Sequence, residues 1–290
     1  MSSRTHNLLK PQAPATSWAG FDLDQNRPLL MGIVNVTPDS FSDGGQFQGS
    51  NQAAIAHGLE LRAQGASILD VGGESTRPGA KSVSLDEECA RVLPVIKALA
   101  EEGCCVSVDT RHATVMREAV AAGASIINDV CALQEPESLF AAAQLDVPVV
   151  LMHMQGQPQS MQANPQYDHV VTEIRDFLIE RAQTSIAAGI KAENLCLDPG
   201  IGFGKSLAHN LELLRSSDVF VQTGYPILIG ASRKSLIEKI DQGADVHQRL
   251  AGTLALHGLA VERGAQILRV HDVAQARQYF LVQRALEAEK

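Results

Sequence analysis

Residues 29–35 read LLMGIVN, an apolar run that ends in an amide side chain and leads into a turn-rich segment. A short, continuous apolar run bounded by turn residues is typical of a strand buried on both faces of a parallel sheet. An amphipathic stretch, Gln52–Gln64, follows and is typical of a helix. The same order of strand, polar turn and helix recurs along the chain, and this recurrence predicts the fold.

The pattern indicates eight strand–helix alternations in 290 residues. They predict an α/β protein with a closed parallel sheet, the (β/α)8 or TIM barrel. A doubly wound open sheet is the alternative, although it would usually carry fewer strands in this length. The predicted strands are Leu29–Asn35, Ser67–Gly72, Cys104–Asp109, Ser125–Asn128, Val147–His153, Asn194–Asp198, Pro226–Gly230 and Gln266–Val270, and the predicted helices include Gln52–Gln64, Leu85–Glu101, Ala113–Ala122, Tyr167–Ala188 and Gln248–Arg263.

The ends of several predicted helices carry a glycine just before the next strand. Glycine suits the left-handed backbone that often closes a helix, because it has no Cβ atom to clash. No linker interrupts the alternation, so we predict one barrel domain over residues 29–290, preceded by an N-terminal arm or hairpin over residues 1–28. The glycines concerned are Gly65, Gly123, Gly189 and Gly264.

The composition excludes several classes of protein. A net charge of −9 argues against a nucleic-acid partner, which usually requires a basic surface. The five cysteines are odd in number and lack CxxC spacing, so we expect a reducing compartment and neither a disulfide framework nor a zinc site. No apolar run reaches the roughly 18 residues that span a membrane, and no signal peptide is evident. We therefore expect a cytoplasmic protein without a membrane partner.

Charged or amide side chains recur at the carboxyl ends of nearly all the predicted strands. In a barrel these ends converge on one mouth, where active sites of this fold are built. A single polar residue there is usually only a helix cap, and Asp109 and Asp272 are each compatible with that role. Capping does not explain the residues Asn35, Arg77, Lys234, Arg269 and His271.

These side chains predict the kind of molecule that the mouth binds. The cations among them suit an anionic substrate, whereas Asp109, Asn128 and Asp198 suit the N–H-rich edge of a heterocycle. Arg269 can also stack its planar guanidinium on a ring, which a lysine cannot do. We predict a planar, polar ring that carries phosphate.

Two turn-rich loops follow the first two strands. Residues 35–45 read NVTPDSFSDGG and residues 75–79 read STRPG. Proline and glycine around polar groups are typical of mobile loops that cover an active site. Two ordinary surface turns would have the same composition, and the residues alone leave both interpretations open.

Two other motifs are weaker. Residues 199–206 read PGIGFGKS, which departs from a phosphate-binding P-loop because Pro199 replaces the first required glycine. Its glycines instead suit a tight turn or a close approach of the backbone to a ligand. His153 ends a buried strand, and we interpret it as a hydrogen-bonded core residue in preference to a metal ligand.

Two long motifs resemble those of the dihydropteroate synthase family. Residues 31–45, MGIVNVTPDSFSDGG, are similar to its first signature, and residues 70–79, DVGGESTRPG, to its second. Shorter matches follow in the family's order, so the resemblance extends from about residue 29 to the end of the chain. These are Ser107–Thr110, Ile127–Asp129, Leu151–Gly156, Leu197–Lys205, Gly230–Ser235 and Arg269–Val273.

The resemblance implies a transferase of folate biosynthesis that is a sulfonamide target and a homodimer. Its reaction joins 6-hydroxymethyl-7,8-dihydropterin pyrophosphate to para-aminobenzoate and releases pyrophosphate. The resemblance also implies Mg2+, held in part by Asn35. The implied subsites are Asp109, Asn128, Asp198, Lys234 and Arg269 for the pterin, Asn35, Arg77, Arg269 and His271 for the pyrophosphate, and Phe41, Thr76, Pro78, Phe203 and Ser232 for para-aminobenzoate, with Asp109, Arg77, Lys234 and Asp43 as the catalytic group.

The implied mechanism is ionisation of the C–O bond to pyrophosphate, followed by attack of the arylamine. The carboxylate of Asp109 would stabilise the positive charge on the dihydropterin. Two alternatives are a corrinoid-type pterin methyltransferase, which needs no pyrophosphate site, and a non-catalytic pterin-binding paralogue. The intact loop motifs, Arg269 and His271 argue against the first, and the presence of Asp109 and Lys234 argues against the second.

Overall fold

The structure, a computed structural model, describes residues 12–24, 27–36, 47–75, 83–156 and 161–287, and for residues 47–50 the backbone alone. Two short strands, β1 (Ser17–Trp18) and β2 (Phe21–Asp22), form an antiparallel hairpin before the main sheet. The main sheet contains eight parallel strands. These are β3 (Leu29–Asn35), β4 (Ile68–Gly72), β5 (Val106–Asp109), β6 (Ile126–Asp129), β7 (Val149–Met152), β8 (Leu195–Asp198), β9 (Leu228–Ile229) and β10 (Ile267–Val270).

Helices connect the strands and cover the outside of the sheet. None of the helices in the described part of the chain is long and apolar enough to cross a bilayer. The helices are α1 (Phe47–Gln64), α2 (Leu85–Glu101), α3 (Ala113–Ala121), α4 (Ser138–Leu145), α5 (Val170–Ala187), α6 (Leu207–Arg215), α7 (Ser217–Val221), α8 (Ser235–Ile240), α9 (Leu250–Glu262) and α10 (Val273–Glu287).

The eight parallel strands close into a barrel. Hydrogen bonding runs in the order β8-β7-β6-β5-β4-β3-β10-β9. A parallel bridge between Leu197 on β8 and Ile227, just before β9, joins the two ends of this order. The Leu197 amide donates to the carbonyl of Pro226 at 2.9 Å. The predicted TIM barrel is therefore confirmed.

Side chains that face the barrel interior form layers, because successive residues of a strand point to opposite faces. The bottom layer is apolar and buried, and it forms a cluster separate from the shell between strands and helices. Two residues further along each strand, the next interior layer contains charged and amide groups. The bottom layer is Met31, Ile68, Ile126, Val150, Cys196, Leu228 and Ile267, and the matching positions above it are Ile33, Asp70, Asn128, Met152, Asp198, Gly230 and Arg269.

The N-terminal hairpin closes the bottom of the barrel. Trp18 is 2% exposed and packs in the same cluster as the bottom interior layer. Its indole Nε1 donates to the carbonyl of Asn194 at 3.1 Å, which satisfies the polar atom of the buried ring. Gln266 donates to the carbonyl of Ala15 at 3.1 Å and ties the preceding segment to β10.

The helix boundaries match the predictions closely at α2 and α3 and less closely at the other predicted helices. Helix α1 begins at Phe47, earlier than the predicted Gln52, and α5 begins at Val170, later than Tyr167. Strand β9 contains only Leu228–Ile229 of the predicted Pro226–Gly230. The four glycines predicted to end helices all have positive φ, and at Gly123 a Cβ atom would lie 2.6 Å from the Cβ of Ala100.

We predict that Trp18→Ala lowers the free energy of unfolding by about 3–5 kcal/mol, because it removes a fully packed ring and leaves a cavity. Urea denaturation followed by circular dichroism measures the change. Phe140→Ala is the matched control, since Phe140 is 68% exposed and its removal should change stability by less than about 0.5 kcal/mol. Equal destabilisation by the two variants would contradict the role of the hairpin as a closure.

Candidate active site

The carboxyl ends of the strands bring a connected set of polar side chains into the upper part of the barrel. Arg269 on β10 lies at its centre and contacts carboxylates from β4 and β5. Its Nε donates to Asp70 Oδ2 at 2.6 Å, and its Nη2 donates to Asp109 Oδ2 at 2.6 Å. Asn128 on β6 donates from Nδ2 to the same Asp70 oxygen at 3.1 Å. Four strands thus contribute to one hydrogen-bonded group.

Burial governs the electrostatics of this group. The Asp70 side chain is fully buried, and those of Asp109 and Arg269 are 12% and 21% exposed. Burial raises the pKa of Asp109, Arg269 opposes that rise, and the nearby carboxylates of Asp70 and Glu88 raise it further. Burial alone would lower the pKa of Arg269, but Asp70 and Asp109 more than offset this and raise it. The guanidinium is therefore a permanent cation between two competing carboxylates.

A second part of the site is built on β8 and the loop after it. Asp198 Oδ1 accepts a hydrogen bond from the Gly200 amide at 2.7 Å. Burial raises the pKa of Asp198 to about 6, while this hydrogen bond and Lys234 act in the opposite direction. The Nζ of Lys234 lies 3.9 Å from the centre of the Phe203 ring, within the range of a cation–π contact. Lys234 thus lies near both Asp198 and Phe203.

The loop after β8 is tied to β7 by a buried lysine. Lys205 is 1% exposed, and its Nζ lies 3.0 Å from His153 Nδ1 and 2.9 Å from the Phe203 carbonyl to which it donates. Burial lowers the pKa of Lys205 to about 7, and burial and Lys205 lower that of His153 to about 2. Gly200 allows the close approach, because a Cβ there would lie 1.9 Å from the His153 carbonyl oxygen. His153 is thus a hydrogen-bonded buried residue, as the sequence predicted.

The turn after β9 brings Ser232 against His271, the residue that follows β10. Ser232 Oγ lies 3.0 Å from His271 Nδ1 and accepts from the His271 amide at 3.2 Å. The adjacent Arg233 has a positive φ of 54° and forms an ion pair with Asp272. Ser232 and Arg233 are thus both bonded to residues that directly follow β10. These contacts fix the position of the turn, and of Lys234 beside it, relative to Arg269.

The turn after β5 is fixed by Glu88, which the sequence analysis did not identify. Glu88 on α2 is 1% exposed and accepts from Thr110 Oγ1 at 2.7 Å. Its other oxygen lies 2.7 Å from His112 Nδ1, and this hydrogen bond raises the pKa of His112. The sequence does indicate this burial, because Glu88 shares the apolar helical face of Val92, Val95 and Leu99, where a charged residue is unusual.

Asp70 and Lys205 were also missed as site residues. Asp70 is a charge in the middle of an apolar strand, which is itself a signal of an interior function. Lys205 lies in a loop, where sequence gives no sign of its complete burial. Of the predicted residues, the structure describes Asn35, Asp109, Asn128, Asp198, Phe203, Ser232, Lys234, Arg269 and His271, whereas Phe41, Asp43, Thr76, Arg77 and Pro78 lie outside the described residues.

The arrangement has a definite chemical capacity. Asp109, Asn128 and Asp198 supply buried acceptors, and an amide, that suit a ring with several N–H groups. Arg269 and Lys234 supply fixed positive charge beside them, which suits an anionic group or a leaving group that gains negative charge. The site can therefore hold a polar heterocycle and stabilise opposite charges that develop on either side of a breaking bond.

Comparisons with known proteins point to one family. The family profile described as pterin-binding enzyme matches residues 31–271. The chain is 51% identical to the dihydropteroate synthase of Haemophilus influenzae over 254 residues, which are 87% of this chain and 91% of that one. It is also similar to two solved structures of Xanthomonas albilineans dihydropteroate synthase. That with 4-aminobenzoic acid has a TM-score of 0.87, 49% identity and coverage of 96% and 99% of the two chains, and that with 7,8-dihydropteroate has 0.84, 48%, 93% and 97%.

We predict that Asp198→Asn stabilises the ligand-free protein at pH 8 by about 1–3 kcal/mol. The folded-state pKa of Asp198 lies above the usual value, so the folded protein binds this proton more tightly than the unfolded chain. Ionisation therefore costs stability as the pH rises from about 4 to 6, and the variant removes that cost. The gain should shrink towards pH 4 in urea denaturation at several pH values.

The control for Asp198→Asn is Asp146→Asn, because the Asp146 side chain is 60% exposed and pairs with Lys191 at the surface. This control should show no gain in stability at pH 8. A loss of stability in Asp198→Asn that is the same at pH 4 and pH 8 would contradict the electrostatic assignment.

Proposed function

The chain belongs to the dihydropteroate synthase family of pterin-binding enzymes, and on this basis we propose how its own side chains carry out the family's reaction. The reaction is a transfer that joins 6-hydroxymethyl-7,8-dihydropterin pyrophosphate to para-aminobenzoate. Its products are 7,8-dihydropteroate and pyrophosphate. One observation supports the proposal above others: Arg269 is held by two carboxylates in the same pocket as Asn128.

The pterin ring binds in the upper interior layer. Asp198 accepts from the N–H groups of the amino-pyrimidinone edge, and Asn128 offers both a donor and an acceptor. Lys234, whose Nζ lies over the Phe203 ring, donates to the pterin ring from the side. The guanidinium of Arg269 stacks on the ring face, since its planar shape suits that contact.

Ionisation of the C–O bond is the step that this pocket promotes. As pyrophosphate departs, positive charge develops on the dihydropterin, and the carboxylate of Asp109 stabilises it from a fixed position. The loop contacts of Glu88 and Thr110 hold the turn after Asp109, so little reorganisation is needed when charge develops. The arylamine then attacks the same carbon as a neutral nucleophile and loses a proton to the released pyrophosphate or to water, and no covalent intermediate with the protein forms.

The departing pyrophosphate binds at the mouth, near Arg269, His271 and Asn35. Asn35 ends β3 and is half-buried. Its carboxamide oxygen is the kind of ligand that Mg2+ accepts. One protein oxygen fits a magnesium ion that is otherwise held by substrate phosphates and water. Mg2+ bound there would neutralise the charge of the leaving group. Arg77 is proposed to add a further cation.

The para-aminobenzoate subsite lies beside the pterin, between the loop after β8 and the turn after β9. Phe203 and Ser232 line it, and both are fixed by the contacts of Lys205 and His271. We propose that Phe41, Thr76 and Pro78 complete the subsite, with Asp43 in the same loop, and that sulfonamides compete there with the arylamine.

We predict that the protein releases pyrophosphate when both substrates are present, and that Asp109→Asn lowers kcat by about a hundredfold or more, as expected when a charge-stabilising group is lost. A coupled pyrophosphate assay measures both effects, and omission of Mg2+ with EDTA should abolish most of the activity. Asp109→Asn should unfold at a temperature equal to or above that of the wild type, because burial raises the pKa of Asp109 and makes its ionised form unfavourable in the folded protein. Wild-type turnover in the variant would refute the role of Asp109, and methyl transfer without pyrophosphate release would refute the proposed reaction.

A homodimer and a cytoplasmic location complete the proposal. Helix α9 reads LAGTLALHGLAVE and carries no charged residue before Glu262, although it lies on the outside of the barrel. A helix that is apolar on all sides is usually buried, so its outer face suits a second copy of the chain. Ala251 and Ala255 are exposed on this face.

We predict that Ala255→Glu converts a dimer to a monomer, because it places a charge in an apolar interface. Sedimentation equilibrium should give twice the chain mass for the wild type and the mass of a single chain for the variant. Ala90→Glu is the matched control, since Ala90 is an exposed alanine of α2 and should leave the dimer intact. A wild-type protein that sediments as a single chain would exclude the dimer.

A further inference from the structure

Asp70 is a fully buried charged group of the site, and the reaction proposed above gives it no role beyond its contact with Arg269. Its side chain is fully buried on β4. One oxygen, Oδ2, accepts both from Asn128 Nδ2 at 3.1 Å and from Arg269 Nε at 2.6 Å. The other oxygen, Oδ1, is buried and has no hydrogen-bond partner among the described residues. Asp70 therefore connects the two neighbours that flank the pterin position.

Asp109 contacts the same guanidinium in a different way. Asp109 accepts a hydrogen bond from the terminal nitrogen Nη2, whereas Asp70 accepts one from the inner nitrogen Nε. Asp109 is paired in register with Gly72, two residues beyond Asp70 on β4, and is therefore nearer the mouth. The Asp109 side chain is also partly exposed, at 12%. A molecule that enters from the mouth reaches the Asp109 contact before the Asp70 contact.

We propose that Asp70 is the lasting counter-ion of Arg269, whereas Asp109 is an exchangeable one. When the pterin diphosphate binds, Asp109 turns to the ring and the Nη groups of Arg269 turn to the ring face and the diphosphate. The hydrogen bond between Nε and Asp70 persists and holds the guanidinium in the pocket while the substrate binds and the product leaves. Asp70 is thus a positioning residue that acts through Arg269 and Asn128. This inference rests on the proposed function and deepens it.

The charge of Asp70, and not only its shape, is required. With a neutral group at this position, Asp109 would be the only carboxylate bonded to Arg269, and the ion pair between them would tighten. Asp109 would then be less able to turn to the substrate. The charged groups that face Asp109 are Arg269 on β10, Asp70 on β4, Glu88 on α2 and Asp129 on β6, and of the three carboxylates Asp70 is the one that shares the guanidinium.

Asp70→Asn isolates this charge. The amide oxygen can take the place of Oδ2 and accept from both Arg269 and Asn128, and the amide nitrogen then takes the place of Oδ1. We expect kcat/KM for the pterin diphosphate to fall by about tenfold to a hundredfold, as for the loss of a charged hydrogen-bond partner. The KM for para-aminobenzoate should not change. The acid limb of the pH–rate profile should move to lower pH, because Asp109 loses a neighbouring negative charge.

Ser107→Ala is the matched control. Ser107 is the register partner of Asp70 on β5, is equally buried, and its hydroxyl has no partner among the described residues. Wild-type kinetics and an unmoved acid limb in both Asp70→Asn and Ser107→Ala would overturn the proposal. An inactive wild type would instead refute the proposed function, so the two failures are distinguishable.

A second measurement covers the case in which Asp70→Asn does not fold. In the wild-type protein, the Nε–H resonance of Arg269 can be assigned by its loss in Arg269→Lys. We expect this proton to stay protected from exchange with water when pyrophosphate and a pterin are added, while the Nη resonances shift. Loss of protection at Nε on ligand binding would overturn the assignment of Asp70 as the lasting partner.

Discussion

The ion-pair group of Asp70, Arg269 and Asp109 is the constraint on which the rest of the site depends. A charge inside a barrel must be paired, because transfer of an unpaired charge from water to the protein interior is very unfavourable. Asp70 lies on β4, Asp109 on β5 and Arg269 on β10. In the sheet β4 and β5 are direct neighbours, and β3 separates β4 from β10. Closure of the barrel therefore permits these charges to be buried, and the buried charges give the pocket its chemistry.

Along the barrel strands, the interior positions that stabilise the fold and the interior positions that form the site are two residues apart. The bottom interior layer, with Trp18 beneath it, is apolar and stabilises the fold. The next interior positions of the same strands supply Asp70, Asn128, Asp198 and Arg269. Burial raises the pKa of Asp198 and Asp109, so their ionised forms are unfavourable in the empty pocket. A ligand that donates N–H hydrogen bonds to these carboxylates, and on which positive charge develops, favours their ionised forms. Substrate binding is therefore coupled to the stability of the protein.

Much of this arrangement could be predicted from sequence, because polar residues such as Asp109 and Asp198 end apolar runs and the barrel gathers those ends. Asp70 was missed because it lies inside a run, where the expected polar position is the end. Lys205 was missed because loop conformation determines its burial, and no periodicity reports it. Strand β9 was predicted too long, since Pro226 and Gly230 flank a pairing of only two residues. The predicted loop residues Phe41, Asp43, Thr76, Arg77 and Pro78 stay predictions.

A crystal structure with bound dihydropterin pyrophosphate tests the central claim most directly. We expect the ring between Asp198, Asn128 and Asp109, with the guanidinium of Arg269 on its face, Nε still bonded to Asp70 and Nη2 withdrawn from Asp109. A ring bound outside the barrel mouth, with the bond between Arg269 and Asp109 intact, would contradict it.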